Sequence, residues 1–371
     1  MSLPLVIQAL VILLIYSILV LGFFTGWLRT KRYHPGRKIP VTRISILIPC
    51  RNEVGNIRQL AVLLNSQLYP KEILEIIWIN DHSTDATVEI LEELTRRYAN
   101  MHFINLLDRA EGKKAALKAG MKLATGELIL LTDADSRPPE RWVLTMAKFF
   151  NDTGSDLILG PVVIDPALSP FEKIQKLEYL SLVASSIGAA GIGRPVMAQG
   201  PNIGVRATDY RSIVHDLDDR FVSGDDVFLL QAMKKLSGKK IRYVLNPDAI
   251  VRSKPAGSLS GFLRQRERWA SKASGYKDAF MILTTLLVFM ANLEILASFI
   301  LALFGMVPIY FFAILLLIKI ITDFPILIAA MKFFDCANLI IWLIPAQLLY
   351  PVYVTVAGIL SQSRRVRWRR G

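Results

Sequence analysis

Two carboxylates close a strongly apolar stretch near the middle of the chain, where Asp133-Ala134-Asp135 follows the run 128–131. A run of Ile and Leu without alternation is typical of a strand covered on both faces. Two carboxylates one residue apart repel each other unless a cation lies between them. Oxygen ligands are what Mg²⁺ and Mn²⁺ prefer. A solvated turn is the alternative interpretation, because Asp and Ser are ordinary turn formers.

Two other predicted strands also end in polar residues. Pro49-Cys50-Arg51-Asn52-Glu53 follows the strand at 44–48, and Asn80-Asp81-His82-Ser83 follows the strand at 73–79. Ligands of parallel sheets bind at the carboxyl ends of the strands. Three such ends on one edge predict a site for a nucleoside diphosphate with Mg²⁺ or Mn²⁺, in which Asp81 accepts a hydrogen bond from the base or ribose and the metal stabilises a departing diphosphate.

Two further clusters lie nearer the C-terminus. Asp225-Asp226 begins a predicted helix, where one carboxylate serves as an N-cap and its neighbour as a general base, or both merely cap. Gln265-Arg266-Glu267-Arg268-Trp269 falls in a basic helix before an apolar region. It is either an interfacial helix with Trp and Arg at headgroup level, or one in which Arg268 binds the diphosphate and Trp269 lines an acceptor site.

The elements that must position these side chains alternate regularly. Between residues 43 and 131, short apolar runs at 44–48, 73–79, 102–106 and 128–131 are separated by three helical patterns. This alternation predicts an α/β domain with a mostly parallel sheet and helices on both faces.

Apolar segments flank that domain. Of the 371 residues, 53% are hydrophobic, yet the net charge is +13, a pairing that favours a membrane protein over a nucleic-acid binder. We predict a transmembrane helix at Leu3–Trp27, too long for a cleaved signal peptide, and three more spans at 279–304, 308–331 and 339–360. Lys319 and Asp323 lie inside one span, where they either pair with each other or serve a function.

Basic residues give conflicting indications of topology. The positive-inside rule places the segment after the first helix in the cytoplasm because of its basic residues, which are Arg29, Lys31, Arg32, Arg37 and Lys38. If all four apolar segments cross the membrane, the C-terminus lies on the same side as the N-terminus, which is outside the cytoplasm. The arginines of the tail, from Arg364 to Arg370, prefer the cytoplasm instead. One C-terminal segment is therefore expected to be re-entrant or interfacial.

The ordered motifs IPCRNE, NDHSTDAT, EGKKAALKAG, TDADS, QGPNIGVR, SGDDVFL and QRERW, flanked by apolar helices, resemble the membrane-bound family 2 glycosyltransferases. This family includes ceramide glucosyltransferase and the hyaluronan, chitin and cellulose synthases. The likeness covers about residues 44–272. It implies a GT-A fold and inverting transfer from a nucleotide sugar, most often UDP-linked, without an enzyme nucleophile.

The resemblance also implies roles for individual residues. Asp226 is the expected general base, with Asp225 beside it in place of the usual Glu. The residues expected to bind the nucleotide sugar are Pro49, Arg51, Glu53, Asp81, Lys113, Asp133 and Arg268; those expected to bind the metal are Asp135 and Asp133; those expected on the acceptor side are Gly200, Asn202, Gln265 and Trp269. Arg51 stands where many relatives carry an aromatic residue, so its guanidinium is expected to stack on the base.

These observations predict a membrane enzyme that glycosylates a lipid or lipid-linked acceptor at the cytoplasmic face, in a bacterial inner membrane. A small processive polysaccharide synthase is the alternative, and about four helices favour the lipid acceptor because polymer export should need a larger channel. A catalytically inactive membrane scaffold or nucleotide-binding partner is disfavoured, because none of the acidic motifs is lost. The predicted parts are a transmembrane helix (1–28), a basic linker (29–42), a GT-A domain (43–257), an interfacial helix (258–278), a transmembrane region (279–361) and a basic tail (362–371).

Overall fold

The computed structural model describes residues 3–36, 40–107, 111–214 and 225–363. The chain forms two compact units, each assembled from separate stretches of sequence. The helical unit contains Met1–Thr30, Pro166–Val196 and Pro255–Arg367, and the sheet unit contains Lys31–Asp165 and Met197–Lys254. Of the predicted basic residues, Arg37, Lys38 and the tail from Arg364 lie outside the described residues.

The sheet unit is built on a seven-stranded sheet with the order β3-β2-β1-β4-β7-β5-β8. Strands β1 to β4 are mutually parallel, while β7 runs antiparallel to β4 and β5. Strands β6 and β9 form a separate parallel pair. The strands are β1 (Ile44–Cys50), β2 (Leu74–Asn80), β3 (Met101–Asn105), β4 (Leu128–Leu131), β5 (Leu157–Leu159), β6 (Val162–Ile164), β7 (Ile203–Arg206), β8 (Ile241–Tyr243) and β9 (Val251–Ser253).

Helices cover this sheet. Strands β1 and β4 are buried almost throughout because they are central and parallel, which explains why their sequences do not alternate between apolar and polar residues. The helix after β1, by contrast, is amphipathic and buries Ile57, Leu60 and Leu64 along one side. The helices of the unit are α2 (Ile57–Asn65), α3 (Thr87–Arg97), α4 (Lys113–Leu123), α5 (Trp142–Thr153), α7 (Ala207–Ile213) and α8 (Asp225–Lys235).

The helical unit consists of α1 (Leu3–Arg29), α6 (Pro170–Gly191), α9 (Leu259–Ala270), α10 (Ala279–Leu303), α11 (Ile309–Phe333) and α12 (Leu343–Ser363). Four segments, 4–29, 279–303, 309–333 and 337–360, are long and apolar enough to cross a membrane. They coincide with the predicted spans to within three residues. The last begins with a 3₁₀ turn at Ala337–Trp342, and Pro351 interrupts the hydrogen-bond ladder of α12.

Helix α1 packs closely against α6 because glycines lie where the two helices meet. A Cβ added to Gly188 would lie 2.2 Å from the carbonyl oxygen of Phe23, and one added to Gly26 would lie 1.9 Å from the carbonyl oxygen of Gly188. No side chain fits at such distances. Small residues that let backbones approach are typical of helix contacts in membranes. The crossing therefore depends on glycine at both positions.

Two ionisable residues of α11 pair with each other. Lys319 Nζ lies 2.6 Å from Asp323 Oδ2 and 2.6 Å from Gln347 Oε1. Tyr16 donates a hydrogen bond of 2.7 Å to Asp323 Oδ1. The plainer of the two interpretations of Lys319 and Asp323 is thus confirmed: they form a buried ion pair, and polar groups on α1 and α12 surround it.

The predicted α/β class, the mostly parallel sheet and the arrangement of one N-terminal and three C-terminal apolar helices are confirmed. Helix α6 has no counterpart in the predicted domain division. Its residues fall within the range 43–257 expected to form the GT-A domain, but they belong to the helical unit.

Candidate active site

The candidate site lies at the carboxyl edge of the sheet in the sheet unit. Strand β1 pairs with β2 on one side and β4 on the other, with Pro49 opposite Ile79 and Leu47 opposite Leu131. The loops after these three strands therefore emerge side by side, as the sequence predicts. Because β1 is central, its loop lies between Asp81 on one neighbour and the Asp133-Ala134-Asp135 segment on the other.

The loop after β1 is fixed by hydrogen bonds to the loop after β2. Half-buried Pro49 precedes it within the strand. Asn52 adopts a positive φ of 55° and its side chain accepts a hydrogen bond of 2.8 Å from the Thr84 amide. Arg51 NH1 lies 2.8 Å from Glu111 Oε1 and 3.8 Å from Asp81 Oδ2. The Arg51 guanidinium is therefore held against the buried carboxylate that is expected to contact the base.

Asp81 is itself held from two sides. Its Oδ2 accepts a hydrogen bond of 3.0 Å from the Gly112 amide, and its Oδ1 lies 3.0 Å from His82 Nδ1. His82 adopts a positive φ of 54°, and its buried Nε2 has no hydrogen-bond partner among the described residues. We did not predict a role for His82. The signal in the sequence was a bulky residue at the tight turn after a strand, where glycine is the usual choice.

Three carboxylates crowd the centre of the site. Burial, and then the charges of Asp133 and Glu53, raise the pKa of Asp135 to about 6. The pKa of Glu53 is likewise raised, mainly by burial and also by Asp133, against the opposing hydrogen bond from Asn56. Concentrated negative potential of this kind favours binding of a cation. In the described part of the chain, however, no group of three His, Cys, Asp or Glu side chains is arranged to hold a metal.

Lys113 connects the two acidic clusters that the sequence places far apart. Its Nζ lies 2.6 Å from Asp133 Oδ1 and 3.1 Å from Asp225 Oδ2. Burial by itself would lower the pKa of Lys113, but Asp133, Asp225 and Asp226 outweigh it, so the pKa is raised and the ammonium stays charged. The lysine thus brings the expected metal-binding segment and the expected catalytic segment into one site.

Asp225 and Asp226 form the first turn of α8. Asp226 Oδ1 accepts a hydrogen bond of 2.8 Å from the amide of the next residue, Val227. An N-cap side chain accepts from an amide two or three residues further on, so the capping interpretation stays a prediction. Residues 222–224 of the same motif lie outside the described residues. A Cβ added to Gly200 would lie 3.3 Å from Lys113 Nζ and 3.5 Å from Asp226 Oδ2. Gly200 therefore borders the group expected to be the base.

Asn202, which is expected on the acceptor side, has its side chain buried inside the sheet unit, and its acceptor-side role stays a prediction. Asn202 is fully buried, and its amide is used three times: Oδ1 accepts from Trp142 Nε1 at 2.9 Å, and Nδ2 donates to the carbonyls of Pro161 and Ala249 at 2.8 and 2.7 Å. A buried polar side chain with all these bonds is structural. Gln199, three residues earlier, is buried with both amide atoms lacking a partner within the described regions, and we did not predict it.

The remaining predicted residues belong to α9 of the helical unit. Gln265, Arg268 and Trp269 lie on this one helix and all are half-buried. Gln265 Oε1 accepts a hydrogen bond of 2.7 Å from Arg266, and Arg266 also lies over the Trp269 ring, 4.2 Å from its centroid. The basic amphipathic helix that the sequence predicts before the apolar region is therefore present.

Comparison with protein families gives two overlapping matches. Residues 45–191 match the model of glycosyl transferase family 2, and residues 128–355 match that of glycosyl transferase family group 2. The second match extends from β4 through the apolar helices, and it covers more than half of the chain.

Two curated relatives resemble the chain over long stretches. The probable glycosyltransferase YdaM of Bacillus subtilis is 28% identical over 70% of this chain and 63% of its own length. A poly-beta-1,6-N-acetyl-D-glucosamine synthase of Staphylococcus epidermidis is 28% identical over 62% of this chain and 54% of its own. The chain thus spans less than two thirds of the length of either relative.

A solved structure shares the fold over nearly the whole chain. The mannosyltransferase PcManGT of Pyrobaculum calidifontis, determined with GDP-Man and Mn²⁺, superposes with a TM-score of 0.57 at 17% identity, covering 96% of this chain and 97% of that one. The likeness supports the GT-A fold that the sequence motifs imply.

Proposed function

Because the chain belongs to glycosyl transferase family group 2, we propose that it transfers a sugar from a UDP-sugar to a lipid or lipid-linked acceptor with inversion at the anomeric carbon. The observation that carries this proposal is the position of Lys113, which joins Asp133 to Asp225. It brings a cation-binding pair of carboxylates and a candidate base to the same edge of the sheet.

The donor nucleoside lies, in this proposal, across the ends of β1 and β2. Asp81 accepts a hydrogen bond from the base, and Arg51, held beside Asp81, stacks on it. Pro49 and Glu53 complete the wall that the first loop forms. Lys113, as a compact positive charge near the carboxylates, faces the diphosphate.

Asp133 and Asp135 would hold a divalent cation. Mg²⁺ and Mn²⁺ commonly use one or two protein carboxylates together with substrate phosphates, so two carboxylates at this site suffice. Burial, followed by the charges of Asp133 and Glu53, raises the pKa of Asp135, so a cation bound there would favour the ionised carboxylate. When bound, the cation would supply Lewis-acid stabilisation of the leaving diphosphate.

Asp226 is the better candidate for the general base of the two adjacent aspartates. Asp225 lies 3.1 Å from the ammonium of Lys113 and its side chain is only 8% exposed, so it is already engaged in charge balance. Asp226 borders Gly200, where the acceptor hydroxyl would approach. A base on the acceptor side and charge stabilisation on the leaving side suffice for a single displacement, which inverts the anomeric carbon.

The acceptor is assigned from the helical unit. Gln265 and Trp269 on α9 have the acceptor-side roles that the resemblance implies. Arg268, on the same helix, has the implied role of binding the diphosphate of the donor. Four apolar helices suit an acceptor already embedded in a bilayer. Arg29, Lys31 and neighbouring basic residues after α1 orient the sheet unit toward the cytoplasm by the positive-inside rule, and we assign the protein to a bacterial inner membrane.

The decisive experiment uses membranes containing the protein, Mg²⁺ or Mn²⁺, and radiolabelled UDP-glucose, UDP-N-acetylglucosamine or GDP-mannose, followed by extraction into organic solvent. We expect Asp226-dependent label in the organic phase with a UDP-sugar. Asp226→Asn should lower turnover by about 10²–10⁴-fold, the usual contribution of a general base, while leaving nucleotide binding intact. Asp248→Asn, at a partly exposed position of the sheet unit where the carboxylate pairs with Arg141, is the matched control.

Two other results would change the assignment. Retained turnover in Asp226→Asn would exclude Asp226 as the base, and an inactive Asp225→Asn would then identify its neighbour. The relative that makes poly-N-acetylglucosamine favours a second candidate function, a small processive synthase. Label recovered as high-molecular-weight aqueous or insoluble material would establish that alternative.

A further inference from the structure

Arg266 stands out on α9 because it is the one charged residue of that helix, among those described, that is almost completely buried. It is 4% exposed, whereas Arg264 two residues earlier is exposed to solvent. A buried guanidinium is costly unless it is paired and hydrogen-bonded. The burial of Arg266 therefore requires partners that compensate its charge and satisfy its N–H groups.

One side of Arg266 is fixed by other helices of the same unit. Its Nε donates to Glu178 Oε1 at 3.0 Å, and its terminal NH2 donates to the second oxygen, so the pairing with α6 is bidentate. Glu178 is 5% exposed and also accepts a hydrogen bond of 2.8 Å from the Tyr353 hydroxyl of α12. A forked pair of this kind fixes orientation as well as distance.

The other side of Arg266 contacts the residues to which the acceptor is assigned. Its NH1 donates to Gln265 Oε1 at 2.7 Å. Its guanidinium carbon lies 4.2 Å from the Trp269 ring centroid and 4.5 Å from that of Phe262. Tyr179, next to Glu178 on α6, also packs against Trp269 with ring centroids 6.0 Å apart.

We propose that Arg266 is a positioning residue: Glu178 and Tyr353 hold its guanidinium, and the guanidinium in turn fixes the side chains of Gln265 and Trp269 for the acceptor. This inference rests on the proposed function of α9. Glu178 and Tyr353 are positioning residues in the same sense, acting on the acceptor side through Arg266. We call the set Glu178, Arg266 and Tyr353 the α9 clamp.

A stabilising role alone does not explain this arrangement. Buried ion pairs contribute little net stability compared with well-packed apolar residues of similar volume. The forked geometry, in contrast, fixes the orientation of the guanidinium. Gln265 accepts a hydrogen bond from this guanidinium, and the Trp269 ring packs against it. Small displacements of positioning residues cost catalysis far more than stability.

The first test is steady-state kinetics of the full-length protein with the lipid acceptor and donor identified by the organic-extraction assay. Glu178→Gln removes the charge at nearly constant volume, and Arg266→Lys keeps the charge but removes the fork. We expect each variant to lower kcat/KM for the acceptor by about 10–100-fold while the donor KM changes by less than about twofold. Tyr353→Phe removes one hydrogen bond and should give a smaller loss in the same direction.

Glu267→Gln is the matched control, because it makes the same chemical change one residue from Arg266 on the same helix, outside the clamp. A role confined to stability would lower the melting temperature and the yield of active protein without changing the acceptor KM. Equal kinetics for Glu178→Gln and Glu267→Gln would overturn the proposal. If Glu178→Gln does not fold, Arg266→Lys and Tyr353→Phe decide the question.

A second test needs no transferase activity. Both native cysteines, Cys50 and Cys336, are buried, so a nitroxide label on Arg264→Cys reports the motion of α9 by electron paramagnetic resonance. We expect faster label motion with Glu178→Gln and no change with Glu267→Gln. If wild-type protein transfers no sugar, the proposed function fails, while the label still tests the clamp; unchanged motion in Glu178→Gln would refute it.

Discussion

Asp135→Asn should make the metal-free protein more stable at neutral pH, although it removes a residue assigned to the active site. The pKa of Asp135 is raised from 3.8 to about 6, first by burial and then by the charges of Asp133 and Glu53. The native state therefore holds this proton more tightly than the unfolded chain. Ionisation of Asp135 costs stability as pH rises from about 4 to 6, and the full cost applies above pH 6.

The size of the effect follows from the two pKa values. A tenfold change in proton affinity is worth about 1.4 kcal/mol, so the change from 3.8 to about 6 corresponds to about 3 kcal/mol at pH 7.5 and about half of that at pH 5. Solvent around Asp133, whose side chain is 33% exposed, screens part of the repulsion, so we expect a gain of about 1–3 kcal/mol. In a unit of this size that gain raises Tm by about 2–10 °C.

The assay is thermal unfolding in detergent with EDTA at pH 7.5 and pH 5, followed by titration with Mn²⁺. Wild type should gain stability with saturating Mn²⁺, by about 2.7 kcal/mol when the ion is at a hundred times its Kd, and Asp135→Asn should gain much less. Asp248→Asn, whose carboxylate is 43% exposed and pairs with Arg141, is the control and should change little. Equal or lower stability of Asp135→Asn relative to wild type in EDTA at pH 7.5 would show that ionised Asp135 does not destabilise the metal-free protein.

Three other substitutions test the structure. Asp323→Asn leaves Lys319 buried without its counter-charge and should lower the free energy of unfolding by about 3–5 kcal/mol. The double variant with Lys319→Met should recover part of this loss, as measured by thermal unfolding in detergent. Equal losses in the single and double variants would argue against the ion pair. Asn202→Ala should lower the free energy of unfolding by about 2–4 kcal/mol through three lost hydrogen bonds. The acceptor KM of the folded fraction should stay unchanged, and a raised KM would instead support an acceptor-side role for this residue. Gly188→Val should separate α1 from α6 and reduce the yield of folded protein by fluorescence-detected size exclusion. Gly22→Val, on α1 where an added Cβ meets nothing within 4 Å, is the control for a valine in these helices and should change the yield little.

Local patterns sufficed to predict the core of the sheet unit. The runs at 44–48 and 128–131 are almost entirely apolar and do not alternate, which is typical of central parallel strands. Because parallel strands end at one edge, the positions of Asp81, Asp133 and Glu53 followed from the order of elements alone. The length and hydropathy of the four apolar segments set their bounds for the same reason, since a bilayer requires about 20 residues.

Contacts between distant segments could not be predicted this way. Asn202 was expected near an acceptor because of its motif, but whether an amide meets solvent or three buried partners depends on how β5, β7 and the 3₁₀ turn at Pro247–Ala249 pack. The link from Lys113 to Asp225 joins residues more than a hundred positions apart. The membership of α6 in the helical unit was missed because its apolar residues are spread around the helix, which packs on α1, α11 and α12, so no single apolar face marked it.

The discontinuity of the helical unit has a consequence for biosynthesis. Its three stretches of sequence are separated by segments of the sheet unit, so α1 meets α6 only after Pro170 is made and meets α10 only after Ala279 is made. At about 5–20 residues per second, α1 emerges roughly 10–50 seconds before α10. During that interval the glycines of α1 can already contact α6, but Tyr16 has no Asp323 to which it can donate its hydrogen bond. The polar contact of α1 with α11 is therefore completed late in synthesis, after its contact with α6.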